Sequence, residues 1–332
     1  MNYQEVTLSP NGARLQCFIQ DASKELPRQN RRPAVLILPG GAYEVCSDRE
    51  ADPVAYAYLH EGFHAFVLRY TVCGHDHHLP SDTVFPKAFE DATAAMTYIH
   101  EHAAQYGIEA SHIAAVGFSA GGNLASALAT MAKVKPSAVI LGYPSVDHSI
   151  NDDLGIACPT MLDQVNEHTC PAFLFATQAD SIVPAVNSLA YAEKLAQYKI
   201  PYEIHIYAAG DHGLSLAEDW TGQENSDVKH WLPMSVSFLD HIWNDSNLAW
   251  GSLPKHNAFS INTSLKILMS REDARNVLKE NIPQLMPLIQ SHPMAGSMSL
   301  ATLAPHAQGK LSKDLLDKID RELQQLDQTE GE

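Results

Sequence analysis

The 332-residue sequence is poor in basic residues, with 22 Lys and Arg against 39 Asp and Glu and a formal net charge of −17. A surface of that charge repels nucleic acid and anionic lipid. Nucleic acid and membranes are therefore not expected as partners. A neutral or cationic small molecule fits the charge better.

Cysteine pairs and long apolar runs are also lacking. The five cysteines form no C-x-x-C pair and their number is odd, which is typical of structural thiols in a reducing compartment. No apolar run approaches the roughly 20 residues that span a bilayer. The first residues lack the basic start and apolar stretch of a secretion signal. We therefore expect a soluble, cytoplasmic protein.

Standard metal and phosphate motifs are absent as well. No H-E-x-x-H helix or paired ligand motif occurs, and residues 75–78 (His-Asp-His-His) are consecutive, so they rarely all point at one ion. No lysine follows the glycines at residues 40–41 in a G-x-x-x-x-G-K pattern. We expect neither a metal nor another cofactor, and we place the histidine cluster in a loop near the rim of the site.

Up to about residue 250 the sequence alternates between strand-like and helix-like segments. The predicted strands are 6–8, 15–19, 34–38, 65–68, 113–116, 138–141, 172–177 and 202–207. The main predicted helices are 51–61, 87–106 and 228–243. This alternation predicts an α/β fold, a mostly parallel sheet with helices on both faces. The irregular, polar segment 146–170 is predicted to form a cap or loop over the site.

From about residue 251 the pattern becomes wholly helical. A linker is predicted at residues 254–257, and helix starts at Ser270 and Ser312. One apolar stripe is predicted, formed by Leu315, Ile319, Leu323 and Leu326. We predict two domains, residues 1–250 and 251–332. The second is marginally long enough to fold alone, so we expect it to dock on the first or on another subunit of a homo-oligomer. A lid over the substrate pocket is the more specific hypothesis.

The most informative feature is the hexapeptide at residues 117–122, Gly-Phe-Ser-Ala-Gly-Gly, which follows an apolar run and precedes a helix-forming one. A serine between glycines at a strand-to-helix turn is the nucleophile elbow pattern. The turn strains the backbone, so small residues such as Gly117 and Gly121 are needed to avoid clashes. The pattern alone is equally typical of a structural turn. In this context it predicts that Ser119 is a nucleophile in acyl transfer.

A serine nucleophile needs a histidine base and a carboxylate that orients the histidine. In an open parallel sheet these groups lie beyond the carboxyl ends of strands, in the chain order serine, acid, histidine. Asp180 and His212 each follow a predicted strand in that order. The alternatives are a turn or capping role for Asp180 and an exposed loop position for His212. The rival acids are Asp211, Asp147, Asp152 and Asp153.

A tetrahedral intermediate also needs donors for its oxyanion. Gly40 and Gly41 follow an early central strand, where the second donor is expected, and glycines there let the backbone approach the substrate. We assign the oxyanion hole to the backbone N–H groups of Gly40, Gly41 and Ala120. Tyr43, in the same segment, is assigned to substrate binding.

Five motifs in this order resemble those of the serine α/β-hydrolases. They are Pro39-Gly40-Gly41-Ala42-Tyr43, Ser47-Asp48-Arg49-Glu50, the hexapeptide around Ser119, Asp180-Ser181-Ile182-Val183-Pro184, and Gly210-Asp211-His212-Gly213. Over about residues 5–245 the chain is similar to bacterial acetyl xylan esterase-like proteins and small-substrate carboxylesterases. The resemblance implies an α/β-hydrolase fold with Ser119, Asp180 and His212 as the triad. Many relatives carry a third glycine where this chain has Ala42, whose β-carbon could narrow the acyl side.

We therefore expect a serine carboxylesterase that cleaves short-chain acyl esters through an acyl-enzyme. By resemblance, acetyl groups on xylo-oligosaccharides or other sugars are the candidate substrates. The alternative enzyme is a serine peptidase of short peptides, because the same groups can cleave amides. A non-catalytic binding protein on a hydrolase scaffold would require a broken triad, whereas this one is complete.

Overall fold

A computed structural model describes residues 1–8, 12–25, 31–76, 78–147, 155–244, 259–261, 263–287, 298–304, 307 and 310–326. The chain divides into two compact units, Met1–Leu248 and Ala249–Glu332. The predicted linker at residues 254–257 lies outside the described residues.

The first unit contains an eight-stranded sheet with the order β1-β2-β4-β3-β5-β6-β7-β8. The strands are β1 (Asn2–Thr7), β2 (Arg14–Ile19), β3 (Arg32–Leu38), β4 (His64–Arg69), β5 (Ile108–Phe118), β6 (Ala138–Gly142), β7 (Ala172–Thr177) and β8 (Tyr202–Tyr207). The β1/β2 and β2/β4 pairs are antiparallel. The pairs from β4 across to β8 are all parallel. The prediction of a mostly parallel sheet is confirmed.

The α-helices of the first unit are α1 (Asp52–His60), α2 (Ser81–Glu101), α3 (Ala103–Tyr106), α4 (Ala120–Met131), α5 (Val186–Gln197) and α6 (Trp231–Asn244). The helix predicted at 87–106 starts earlier, at Ser81, and runs through Pro86. Because Pro86 is near the amino end of α2, its missing N–H removes one hydrogen bond without ending the helix. Gly107 ends α3 with a φ of 69°.

The sheet separates two apolar cores. Leu36 and Leu38 of β3 pack in a first core with residues of α2, α4 and α5. Val35 and Ile37 pack in a second core with residues of α1 and α6. Helices therefore cover both faces, as predicted, and a strand buried on both faces has no polar alternation.

The segment between β6 and β7, predicted as an irregular, polar cap or loop over the site, is irregular where it is described but also carries buried apolar residues. Residues 148–154 lie outside the described residues. Beyond them, Ile156, Met161 and Val165 are buried in the first core. The amide of Met161 donates to the carbonyl of Val146 at 2.9 Å. The apolar side chains here have no regular spacing, so their burial gives no periodic signal in the sequence.

The second unit has its own apolar core and four described α-helices. They are α7 (Leu265–Ser270), α8 (Glu272–Asn281), α9 (Leu300–Leu303) and α10 (Lys313–Gln325). Ser312 caps α10 by accepting the amide of Leu315, as predicted. Ser270 instead ends α7. Arg271 has an extended backbone conformation, and α8 begins at the next residue. Leu265 and Leu268 of α7 are buried in this core, and the last residue of the helix is the serine that was expected to start one.

The apolar stripe of α10 faces this core. Ile319 and Leu323 are fully buried, and Leu315 and Leu326 pack partly buried against them. The other fully enclosed members of the core are Leu265, Leu268, Ala274, Leu278, Ile282 and Leu300. Such a core gives the second unit a hydrophobic interior of its own.

None of the five cysteines, all of which lie in described residues, forms a disulfide. Burial raises the pKa of Cys17 and of Cys170 to about 12, and that of Cys46 to about 11. These thiols therefore stay protonated at neutral pH and are poor nucleophiles. Within the described ranges, no helix is long and apolar enough to cross a membrane.

Candidate active site

Ser119 lies at the turn between β5 and α4, where the hexapeptide predicts a nucleophile. Its backbone has a φ of 52° and a ψ of −117°, which a residue with a side chain rarely adopts. The strain is held by hydrogen bonds on both sides: the amide of Ser119 donates to Gly142, and its carbonyl accepts from Asn123 and Ser145. The turn therefore presents the hydroxyl beyond the carboxyl end of a central strand.

Close packing around the turn explains the glycines. A β-carbon at Gly117 would lie 2.2 Å from the Gly121 carbonyl oxygen. One at Gly121 would lie 2.0 Å from the Leu38 carbonyl oxygen. Both contacts are with backbone that cannot move aside easily. The strand, the helix and the end of β3 approach each other as closely as glycine allows.

The structure brings the predicted serine, acid and histidine together. Ser119 Oγ lies 2.8 Å from His212 Nε2. His212 Nδ1 lies 2.8 Å from Asp180 Oδ2. The three side chains form one hydrogen-bonded chain, although they come from loops after three different strands. This is the geometry required for a histidine that removes a proton from a serine hydroxyl.

Asp180 is the buried acid of this chain, with a side chain only 1% exposed. Its second oxygen, Oδ1, accepts the amides of Ile182 and Val183 at 2.9 and 2.8 Å. Asp180 is thus a turn residue and the partner of His212 at once, since its two oxygens serve different donors. The two interpretations left open by the sequence are compatible.

The rival acids do not contact the imidazole nitrogens in the described structure. Asp211 is exposed, and its Oδ1 accepts from the amide and hydroxyl of Ser181 and from the amide of His212. Asp147 donates its own amide to Asn187. Asp152 and Asp153 lie outside the described residues.

The predicted oxyanion segment turns sharply after β3. Gly41, Ala42 and Tyr43 have φ values of 122°, 57° and 58°. Gly40 lies directly against the nucleophile, because a β-carbon there would be 3.0 Å from Ser119 Cβ. The amide of Gly40, however, donates to Glu50 Oε2 at 2.8 Å.

This hydrogen bond corrects the assignment of Gly40. An amide bound to a buried carboxylate does not point at a developing oxyanion, so Gly40 supports the segment instead of donating from it. Gly41 and Ala120 remain as predicted donors. Ala120 is the first residue of α4, where the amide has no partner inside the helix.

Tyr43, assigned to substrate binding, also needs correction. Its side chain is 1% exposed, and its hydroxyl donates to Asn123 Oδ1 at 2.8 Å. Asn123 in turn donates to the carbonyl of Ser145. Tyr43 therefore links the predicted oxyanion segment to α4 by a hydrogen bond, and its side chain is too buried to contact a substrate.

A buried carboxylate beside the site, that of Glu50, was not predicted from the sequence. Glu50 is 3% exposed and accepts from the Gly40 amide and, at 2.7 Å, from the hydroxyl of Tyr143. Burial raises the pKa of the Glu50 carboxyl, and the hydrogen bonds from Tyr143 and Gly40 oppose that rise. Glu50 belongs to one of the five motifs, which was the signal available. Nothing in the sequence around Tyr143 indicates a role.

The histidine cluster is arranged in separate pairs. His75 Nδ1 contacts Glu44 at 3.1 Å, and His78 Nδ1 contacts Asp76 at 3.0 Å. His77 lies outside the described residues. In the parts of the chain that the structure describes, no three His, Cys, Asp or Glu side chains are placed to hold a metal ion.

Comparison with known proteins places this geometry in a family. MGS-M1, an α/β-hydrolase enzyme from a Medee basin deep-sea metagenome library, is 39% identical, with a TM-score of 0.66. The match covers 73% of this chain and 98% of that one. The chain belongs to the α/β-hydrolase family. The predicted fold class is thereby confirmed.

Other matches of this α/β-hydrolase point to esterases and xylan-related proteins. The BD-FAE family model matches residues 23–153. The acetylxylan esterase of Xylanibacter ruminicola is 27% identical over 252 residues, 68% of this chain and 49% of that protein. Endo-1,4-beta-xylanase B of Butyrivibrio fibrisolvens is 31% identical over 229 residues, 59% of this chain and 35% of that protein. The chain thus spans about half of the first relative and about a third of the second.

Proposed function

We propose that this α/β-hydrolase cleaves carboxylic esters through an acyl-enzyme formed on Ser119. The observation that carries the proposal is the continuous chain Asp180–His212–Ser119, with both contacts at 2.8 Å. The strained turn at Ser119 adds to it, because strain of this kind persists where a backbone must present a reactive group.

In the first step His212 Nε2 takes the hydroxyl proton as Ser119 Oγ attacks the ester carbonyl carbon. The tetrahedral intermediate collapses, and the imidazolium returns the proton to the leaving alcohol. His212 Nε2 then takes a proton from water as the water oxygen attacks the acyl carbon. The second tetrahedral intermediate collapses by breaking the bond to Ser119 Oγ, the imidazolium returns the proton to that oxygen, and the carboxylic acid is released. Asp180 holds the imidazole in the tautomer that leaves Nε2 free to accept a proton.

The negative charge of each tetrahedral intermediate is assigned to the amides of Gly41 and Ala120. The positive end of α4 lies at the nucleophile and favours the same charge. Arg49 adds a cation close to the histidine loop, since a β-carbon at Gly213 would lie 2.9 Å from its guanidinium.

For the substrate we propose short acyl esters, with acetyl groups on xylo-oligosaccharides or other sugars as the first candidates. The support is the name of one relative, an acetylxylan esterase, and that of a second, a xylanase. The charge of −17 also favours an uncharged carbohydrate over a polyanion.

The test is Ser119→Ala. This variant should lose at least about 10⁴-fold in hydrolysis of p-nitrophenyl acetate and all labelling by a fluorophosphonate, because the attacking oxygen is removed. Ser111→Ala is the matched control. Ser111 is exposed and also has a histidine neighbour, with its Oγ 3.5 Å from His112 Nδ1. Equal labelling of the wild type and of Ser119→Ala would rule out the mechanism.

A further inference from the structure

Behind the proposed triad lies a buried chain of three hydrogen bonds. The amide of Gly40 donates to Glu50 Oε2 at 2.8 Å, and the hydroxyl of Tyr143 donates to Glu50 Oε1 at 2.7 Å. The amide of Ser215 donates to the Tyr143 oxygen at 2.8 Å. Glu50, Tyr143 and Ser215 are at most 3% exposed, so water does not compete for these groups.

In this series of three hydrogen bonds, every donor has an acceptor in one arrangement of the hydrogens. Three hydrogens, from Gly40, Tyr143 and Ser215, meet three acceptor oxygens when Glu50 is ionised. A glutamine at position 50 could accept from Gly40 only by turning its amide towards Tyr143. The tyrosine hydroxyl hydrogen would then have no acceptor in a buried site, which is costly.

These hydrogen bonds connect segments that the proposed reaction needs at fixed positions relative to one another. Gly40 starts the oxyanion segment beside Ser119. Ser215 lies three residues after His212, and its hydroxyl donates to the Arg49 carbonyl. The ring of Tyr143 packs edge-on against the His212 imidazole, with centroids 5.0 Å apart. Tyr143 itself is fixed at the end of β6, where its amide donates to Phe175.

The backbone around the chain is also constrained. Tyr143 and Ser215 have positive φ values of 36° and 52°. Residues with side chains hold this conformation only where the surroundings impose it. The indole N–H of Trp231 adds a further tie by donating to the Ser215 carbonyl at 2.9 Å.

We infer that Glu50, acting through Gly40 and Tyr143, is a positioning residue that fixes the oxyanion segment and the His212 loop relative to Ser119. This inference rests on the proposed function and assigns Glu50 no contact with substrate. A displacement of either segment would lower the rate of the chemical step more than substrate binding, because a misplacement of about 1 Å at reacting groups can cost about 100-fold.

The experiment compares Glu50→Gln, Tyr143→Phe and the double variant in the full-length protein. Each single variant should lower kcat for p-nitrophenyl acetate by about 10- to 100-fold while KM changes by less than about threefold. Fluorophosphonate labelling of Ser119 should slow in parallel. The double variant should lose less than the product of the two single losses, because both break the same chain.

Two controls separate positioning from a general loss of stability. Tyr58→Phe removes a buried hydroxyl that hydrogen-bonds Ser235 at 2.9 Å and makes no hydrogen bond to Gly40, Glu50, Tyr143 or Ser215. Asp91→Asn alters a fully buried carboxylate that accepts from Thr71. Both should lower the melting temperature as much as the test variants do and leave kcat within about twofold of the wild type.

The outcomes are distinct. If the wild type is active and Glu50→Gln and Tyr143→Phe have the kcat of the controls, the positioning role is wrong and the ester hydrolase proposal stands. If the loss of kcat in the double variant equals the product of the two single losses, Glu50 and Tyr143 do not act through one series of hydrogen bonds, and the inference is wrong. An inactive wild type that does not label would overturn the proposed function, and this inference with it.

Discussion

At the scale of single residues, two neighbouring carboxylates differ in what they accept. Asp180 is buried and accepts from the His212 imidazole, whereas Asp211 is exposed and accepts from the amide and hydroxyl of Ser181 and from the His212 amide. The amide and hydroxyl of Ser181, followed by the amide of His212, lower the pKa of Asp211 to about 2. Asp211 thereby ties the loop that carries the acid to the loop that carries the histidine.

Replacing each aspartate by alanine should separate these roles. Asp180→Ala should lower kcat by about 10⁴-fold, because the imidazole loses the partner that fixes its tautomer. Asp211→Ala should lower kcat by about tenfold or less, since it removes only hydrogen bonds between two loops. Steady-state kinetics on p-nitrophenyl acetate measures both. A larger loss in Asp211→Ala would make Asp211 the acid of the triad.

Asp211 makes hydrogen bonds that join the two loops, and their pH dependence follows from the lowered pKa of its carboxyl. A carboxyl with a lowered pKa in the folded state adds stability at pH values above its unfolded pKa. That contribution is lost as the pH falls through the folded value of about 2. Asp211 therefore stays ionised through mildly acidic pH, and the tie between the two loops does not weaken there.

At the scale of elements, the turn between β5 and α4 depends on backbones in contact. Gly121→Ala should favour the helix by about 1 kcal/mol through propensity, but its β-carbon would lie 2.0 Å from the Leu38 oxygen. We expect the clash to dominate and the protein to lose about 3 kcal/mol or more of stability, with its activity.

Gly155→Ala is the matched control for this substitution. Gly155 has a φ of 66° with nothing within 4 Å of a β-carbon, so alanine would add only backbone strain, about 1–2 kcal/mol. Thermal denaturation compares the two variants. A Gly121→Ala protein as stable as Gly155→Ala would show that the turn tolerates a side chain.

The elements predicted best are the last three strands of the sheet, of which β6 and β7 are fully buried. β6, β7 and β8 have predicted and observed bounds that agree within one residue. Helix ends were predicted less well, because they depend on contacts outside the helix. α2 starts at Ser81 although Pro86 interrupts its hydrogen bonds, and Ser270 ends a helix that it was expected to start.

At the scale of the whole molecule, all residues of the proposed site and both cores of the sheet lie in the first unit. A chain truncated after Leu248 should therefore keep the melting transition of that unit and hydrolyse p-nitrophenyl acetate. The measurement is a kcat/KM profile across acyl chain lengths, with acetate release from acetylated xylo-oligosaccharides, for both chains. A changed profile would show that the second unit shapes the substrate pocket.

The sequence by itself determined the sheet, the elbow at Ser119 and the candidate partners Asp180 and His212. These follow from local rules: apolar runs make buried strands, glycines allow a strained turn, and parallel strands present their following loops at one edge. Only the tertiary structure decided what Gly40, Tyr43, Glu50 and Tyr143 do. Their hydrogen bonds join residues up to 93 positions apart, and the direction of an N–H or O–H group is set by the partner that folding brings to it.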